Sequence, residues 1–168
     1  KAGYKLERDF APISMLGKAP LTLVVSKEVP VNSLAEFIAL ANKQPGRITF
    51  ASAGVGTTQH LGGELFQQLT HVKLVHVPYK GSGPAMTDLI GGQVQATFET
   101  GPAIAPFLSS GKVKTLAYAN EQRSTVMPEV PTTKEAGLDN FNVAGTYGLL
   151  APAGTPPEVV DKLNAAVK

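Results

Sequence analysis

From Ile48 to Phe66 the chain reads ITFASAGVGTTQHLGGELF: a short β-prone run, a glycine-rich turn, then a helix pattern whose first residues are hydroxylic or imidazole. The amide N–H groups at such a helix start have no partner within the helix and carry the positive end of its dipole, so this turn is predicted to receive an anion. The same design returns at Val75 to Ile90 (VHVPYKGSGPAMTDLI) and at Ala96 to Leu108 (ATFETGPAIAPFL). Repeated strand, Gly/Pro turn and helix with short connections predict an α/β fold, a mostly parallel sheet flanked by helices on both faces. Ligands of such sheets bind outside the carboxyl ends of the strands, where Ser52 to Thr58, Tyr79 to Gly83 and Glu99 to Pro102 fall.

Working outward, Leu21 to Ser26 (LTLVVS) is a strand by its β-branched content, and a helix follows from Ser33 to Ala41, with Ser33 and Glu36 as a capping box. The helix from about Thr58 to Leu69 is expected to bury Leu61, Leu65, Phe66 and Leu69. Ser82 is read as a cap and Pro84 as a first-turn proline, with Gly91-Gly92 ending that helix. Further strands are predicted at Ile48 to Ala51, Val72 to Val77, Val94 to Phe98, Val113 to Ala119 and Val143 to Leu150. Regularity after Gly101 is doubtful because Pro106 removes a helix bond. Thr132 and Glu135 form a second capping box, and Thr155, Pro156 and Glu158 open a terminal amphipathic helix.

Composition excludes several functions. The chain of 168 residues has 15 Lys and Arg against 13 Asp and Glu, a net charge of +2, and its cations are scattered singly. Nucleic acid, which needs clustered cations, is therefore not an expected partner. Zero cysteines remove disulfides, thiolate catalysis and Cys-based metal sites. No apolar stretch approaches the roughly 18 to 20 residues of a membrane span, so the chain is not itself expected to insert in a membrane. Lys1 is preceded by no initiator Met or signal segment, and the final helix lacks a closing strand, so the natural chain is expected to continue at both ends.

The Gly54-Val55-Gly56 turn invites a dinucleotide reading, but Gln59 stands at the third glycine position and no acidic residue ends the next strand. Walker A fails for want of a following Gly-Lys-Ser/Thr, and Gly81-Ser82-Gly83 lacks the spacing of a nucleophile elbow. His60 and Glu64 share a helix face as half a metal site would, without a second histidine; neither a metal nor a cofactor is expected. A tight strand-to-helix turn alone explains Gly54 and Gly56, but not the cluster of Ser52, Thr57, Thr58 and His60 around them. Glu99, the only acid in the three turns, is open to three readings: a ligand contact, a sheet-edge side chain, or a partner of Lys80.

Five stretches together resemble the Bug family of extracytoplasmic solute receptors, which are similar to the substrate-binding component of tripartite tricarboxylate transporters. They are Phe50 to Phe66 (FASAGVGTTQHLGGELF), His76 to Val94 (HVPYKGSGPAMTDLIGGQV), Tyr147 to Pro156 (YGLLAPAGTP), Asp9 to Val25 (DFAPISMLGKAPLTLVV) and Pro128 to Gly137 (PEVPTTKEAG). The resemblance implies a periplasmic-binding-protein-like (type II, Venus flytrap) fold in the periplasm, non-catalytic, closing over a small organic carboxylate: a dicarboxylate, an amino acid or an aromatic acid among the options. Membrane permease subunits would be its partners. It maps the second-lobe ligand loop onto Ser52, Ala53, Gly54, Gly56, Thr57, Thr58 and His60, and makes Thr100 and Gly101 candidate specificity positions. The family's first-lobe loop and final segment have no counterpart here.

Residues 27–117 are thus expected to form the second, ligand-binding lobe, with 1–26 and 118–168 as hinge strands and a remnant of the first lobe. Crossings are placed near Ser26 to Val29 and Ala117 to Glu121. Family members commonly carry aspartate where this chain has Glu99, one methylene longer. Tyr147 is expected either to wall the cleft near the hinge or to pack in the core. The reading from a different class is an α/β transferase or lyase acting on a small anionic metabolite, with His60 and Glu99 as the only candidate bases.

Overall fold

The computed structural model describes residues 3–168. They divide into two compact units, residues 3–18 with Thr146–Lys168, and Ala19–Gly145. Two strands pass through both: β1 (Phe10–Ser26) and β6 (Ala144–Pro152), which pair with each other. The Ser26 to Val29 and Ala117 to Glu121 segments both lie inside the larger unit.

The smaller unit holds α1 (Leu6–Asp9), the first part of β1, most of β6 and α6 (Pro157–Val167). Asp9 ties α1 together by accepting from the Lys5 amide at 2.8 Å and from the Arg8 guanidinium, which holds its carboxyl below the usual range. The expected cap of α6 does not form. Thr155 instead donates its hydroxyl to the Pro152 carbonyl at 2.8 Å, and the helix begins at Pro157 with no side-chain cap. Tyr147 is 52% exposed, which removes core packing as its role.

The larger unit contains α2 (Leu34–Lys43), β2 (Thr49–Ser52), α3 (Thr58–Thr70), β3 (Val75–Pro78), α4 (Ser82–Ile90), β4 (Ala96–Thr100), α5 (Gly101–Leu108) and β5 (Val113–Tyr118). Strand order is β3-β2-β4-β1-β5. β2 is parallel to β3 and β4, while β4 and β5 are both antiparallel to the β1 strand between them. Of the five strands on this path, β2, β3, β4 and β5 therefore share one direction and β1 runs against them, making the sheet mixed. The crossover through α5 leaves room for one strand between β4 and β5, and β1 occupies it.

Period-two alternation along the strands divides the core. Leu21, Leu23, Val25, Phe50, Ala96 and Phe98 face one buried cluster with Phe37 of α2 and Phe66 of α3. Val24 and Ala51 face a second cluster with Ala85, Met86 and Leu89 of α4 and Ile104 of α5. α2 starts as predicted: the Ser33 hydroxyl accepts from the Glu36 amide at 3.2 Å, and the Glu36 carboxylate accepts from the amide of Asn32, one residue earlier than a capping box requires.

Four expectations are corrected. In α3 the fully buried residues are Gly62, Gly63 and Phe66, with Leu65 and Leu69 partly buried against the same cluster, while Leu61 is 59% exposed. The glycines let the helix backbone approach the sheet, since a Cβ on Gly62 would lie 2.5 Å from Leu21 Cδ1, and one on Gly63 would run into the Phe50 ring. That close approach turns Leu61 outward. In α4 the cap position is Gly81, at φ 113°, and Ser82 is the first helical residue. Thr132 and Glu135 do exchange both capping-box bonds, at 2.8 and 3.1 Å, yet close a single turn rather than a helix, with Gly137 at φ 88°. The segment after Gly101 is helical despite Pro106, which the short α5 tolerates two residues from its end.

Candidate functional site

β2, β3 and β4 end side by side at Ser52, Pro78 and Thr100, so the starts of α3, α4 and α5 gather on one edge of the larger unit. The turn between β2 and α3 is built from internal hydrogen bonds. The fully buried Ser52 hydroxyl accepts from the Gly54 amide at 3.1 Å, and Thr57 Oγ1 donates to the Gly54 carbonyl at 2.7 Å. The Tyr79 amide donates to the Ser52 carbonyl and the Gly81 amide to the Ala53 carbonyl, both at 3.0 Å, which joins this turn to the β3–α4 turn. Gly54 and Gly56 have φ values of 141° and 82°, and only glycine enters the first of these readily.

Thr57 caps α3, its hydroxyl accepting from the His60 amide at 3.4 Å. Among the described residues the amides of Thr58 and Gln59 meet no acceptor, and the Thr58 hydroxyl has no partner. Two free N–H groups at a helix start, flanked by a hydroxyl, are a candidate anion cradle that would need no cationic side chain. Lys80 is exposed and makes no ion pair among the described residues, so the partnership of Lys80 with Glu99 does not form.

Behind the cradle stand three stacked rings. His76 lies between Phe50, at 4.9 Å between centroids, and His60, at 3.9 Å and 14°. His60 Nδ1 accepts from the Gly56 amide at 3.0 Å, and its Nε2 is 3.7 Å from Glu64. His76 Nε2 is 2.7 Å from Ser52 Oγ, a contact satisfied when the hydroxyl donates to a neutral imidazole. Burial, helped by His60 and opposed by Glu64, holds the His76 pKa below its ordinary value.

A pH dependence follows. The unfolded imidazole, titrating near about 6.5, binds more protons than the folded one below that pH, so stability is lost as pH falls through the window beneath it and is unaffected above. Thermal midpoints measured from pH 8 down to pH 5 are expected to fall more steeply for the native chain than for His76→Gln. Parallel curves would remove His76 as the cause.

Gln59, at the position that excluded the dinucleotide reading, joins all three turns: its Nε2 donates to Ser82 Oγ at 3.3 Å and to Glu99 Oε1 at 3.1 Å. Glu99 Oε1 also accepts from the Thr100 amide at 2.8 Å. Ser52, Ala53, Gly54, Gly56, Thr57, Thr58 and His60 therefore fall on one loop and helix start, and Thr100 reaches it through Glu99 and Gln59, with Gly101 next in the chain as the first residue of α5. The sequence reading missed Gln59 and His76 as site-building residues. The register Phe50↔His76 brings His76 to Ser52, and no local motif carries that pairing.

The family model for the tripartite tricarboxylate transporter family receptor matches residues 1–168. The chain belongs to this receptor family. It is 40% identical over 161 residues to protein BugT of Bordetella pertussis, a match covering 96% of this chain and 49% of BugT. An R. palustris protein solved with adipate superposes with a TM-score of 0.96 at 36% identity, covering 99% of this chain and 56% of that one. MatC from Rhodopseudomonas palustris, with bound malate, gives 0.92 at 38% identity, with coverage of 99% and 57%. The chain spans about half the length of the curated relatives it matches. The α/β fold expected from the sequence is that of these receptors, and the family is one of binding proteins, not of enzymes.

Proposed function

We propose that this chain is the ligand-binding half of a periplasmic solute receptor that captures a small organic carboxylate and delivers it to the permease subunits of a tripartite tricarboxylate-type transporter. The unit Ala19–Gly145, built around 27–117, would be the second lobe, and the remaining residues would belong to the hinge strands and the first. One observation carries the reading: the unpaired Thr58 and Gln59 amides lie in a loop framed by the hydroxyls of Ser52, Thr57 and Thr58. The adipate and malate of the two similar receptors are both carboxylates, the charge such a loop suits. No helix among the described residues is long and apolar enough to cross a membrane, consistent with transfer through separate permease subunits.

Thermal unfolding of the complete receptor against di- and tricarboxylates, amino acids, aromatic acids and neutral amides tests this. A ligand at a hundred times its dissociation constant stabilises by about 2.7 kcal/mol, which moves the midpoint by a few degrees. Thr58→Val, which keeps shape and loses the hydroxyl, is expected to weaken binding of the responding acid by about 1 to 2 kcal/mol. Titration calorimetry reads this directly, and unchanged affinity would place the anion away from Thr58. A panel with no responding acid overturns the carboxylate reading.

A further inference from the structure

The end of the larger unit's sheet opposite the ligand edge, where β2, β3, β4 and β5 begin and β1 stops, is strongly basic. Five connections meet there, residues 27–33, 44–48, 71–74, 91–95 and 109–112. Their charged side chains are Lys27, Arg47, Lys73 and Lys112 against Glu28 alone, and Lys43 adds a fifth cation from the last turn of α2. All six are exposed. The sequence scatters these cations singly, and strand order gathers them. Lys73 stands at β3, Arg47 at β2, Lys27 at β1 and Lys112 at β5, while β4 enters with the neutral Gln93 and Gln95.

The row is contiguous. The Lys27 amide donates to the Lys112 carbonyl at 3.1 Å, the Ser26 amide to the Gln95 carbonyl at 3.0 Å and the Gly46 amide to the Lys73 carbonyl at 2.8 Å. One groove brings Glu28, Arg47 and Gln95 together. Neighbouring strands lie about 4.8 Å apart, so the row crosses all five over about 19 Å. Its one ion pair among the described residues joins Lys27 to Glu28 at 3.8 Å, between two exposed side chains that water screens. Lys43, Arg47, Lys73 and Lys112 have none. Only Lys43 stands in the last turn of a helix, where a cation answers the helix dipole. Unpaired like charges on one face repel one another, and an anionic surface offsets that repulsion.

We propose that this basic row docks the protein on an anionic phospholipid surface, its four lysines and Arg47 on headgroup phosphates and the ligand edge held at the far end of the larger unit. Protein interfaces are depleted in lysine and anchored by aromatic side chains, and no Phe, Tyr or Trp occurs in the five connections. Lysines are hydrated point charges on flexible stems, and a headgroup layer asks only for positive charge near its surface. The choice of a membrane rests on the receptor reading above, in which the ligand passes to membrane permease subunits.

The test sediments the complete receptor with vesicles of about one-third phosphatidylglycerol in phosphatidylcholine, and with phosphatidylcholine alone. Retention is expected on the acidic vesicles only, and high salt is expected to remove it. Lys27→Gln, Arg47→Gln, Lys73→Gln and Lys112→Gln combined are expected to lower partitioning tenfold or more. Lys5→Gln, Lys18→Gln, Lys134→Gln and Lys162→Gln combined make the same change in net charge away from the row and are expected to lower it less than threefold. All eight side chains are exposed, and the thermal midpoint of each variant checks that it folds. No retention on the acidic vesicles, equal retention on phosphatidylcholine alone, or equal losses in the two variants overturns the membrane face while the carboxylate receptor stands. Retention through the row by a receptor that binds no acid of the panel upholds the membrane face and overturns the carboxylate reading instead.

Discussion

Phe98→Ala is expected to lower the unfolding free energy by about 3 to 5 kcal/mol, a large share of what a domain of this size holds. Phe98 is fully buried, with ring centroids 5.2 Å from Phe66, 6.0 Å from Phe50 and 5.9 Å from Phe141. Removing it deletes the shared neighbour of three rings, held by β2, by α3 and by the segment before β6, so no single shift can fill the space. A Cβ at Gly62 would already lie 3.8 Å from Phe98 Cβ, so α3 is packed close to the sheet here. Urea denaturation is expected to show a lower midpoint with an unchanged slope, and Phe98→Leu a smaller loss. A cost below about 1 kcal/mol for the alanine variant would mean that the aromatic cluster is not the rigid support of the β4 edge.

The second large effect is expected in binding. Gly54→Ala should weaken the responding carboxylate tenfold or more in the complete receptor. A side chain at φ 141° is strained by roughly 1 to 3 kcal/mol, and the added Cβ would sit 3.4 Å from the Tyr79 carbonyl oxygen. The backbone relieves that strain by turning, and Gly54 cannot turn alone. Its amide is held by Ser52 and its carbonyl by both the amide and the hydroxyl of Thr57, so rotation pulls away the α3 cap and misaligns the Thr58 and Gln59 amides. Val55→Ala is the control: Val55 is 76% exposed and is expected to leave affinity unchanged. Native affinity in Gly54→Ala would show that the cradle does not depend on the shape of this turn.

Features legible in the sequence depend on residues a few positions apart. Ser33 caps α2, α3 begins at Thr58, and Gly91 ends α4, because cap and stop chemistry works over three or four residues. The same local logic assembled the loop from Ser52 to His60. Local signals also misled, at Thr132 and Glu135, where both capping bonds form but no helix follows, and at α3, where Leu65, Phe66 and Leu69 pack on the core as the stripe suggested but Leu61 turns outward beside the buried glycines. In each case the deciding contact is with a distant part of the chain: Thr132 bridges to Tyr118, and Gly63 meets Phe50.

The sequence by itself determined an α/β fold and the three strand-to-helix turns, since backbone propensities and caps are written in neighbouring residues. Tertiary structure alone decided the reversal of β1, the stack of Phe50, His76 and His60, and the meeting of Gln59 and Glu99. These depend on strand order and register, and the hydrophobic pattern of a strand specifies which face is buried without naming the strand beside it. Glu99 shows the difference: its sequence neighbours leave three roles open, and the fold removes the pairing with Lys80 by tying the carboxylate to Gln59 and Thr100 instead.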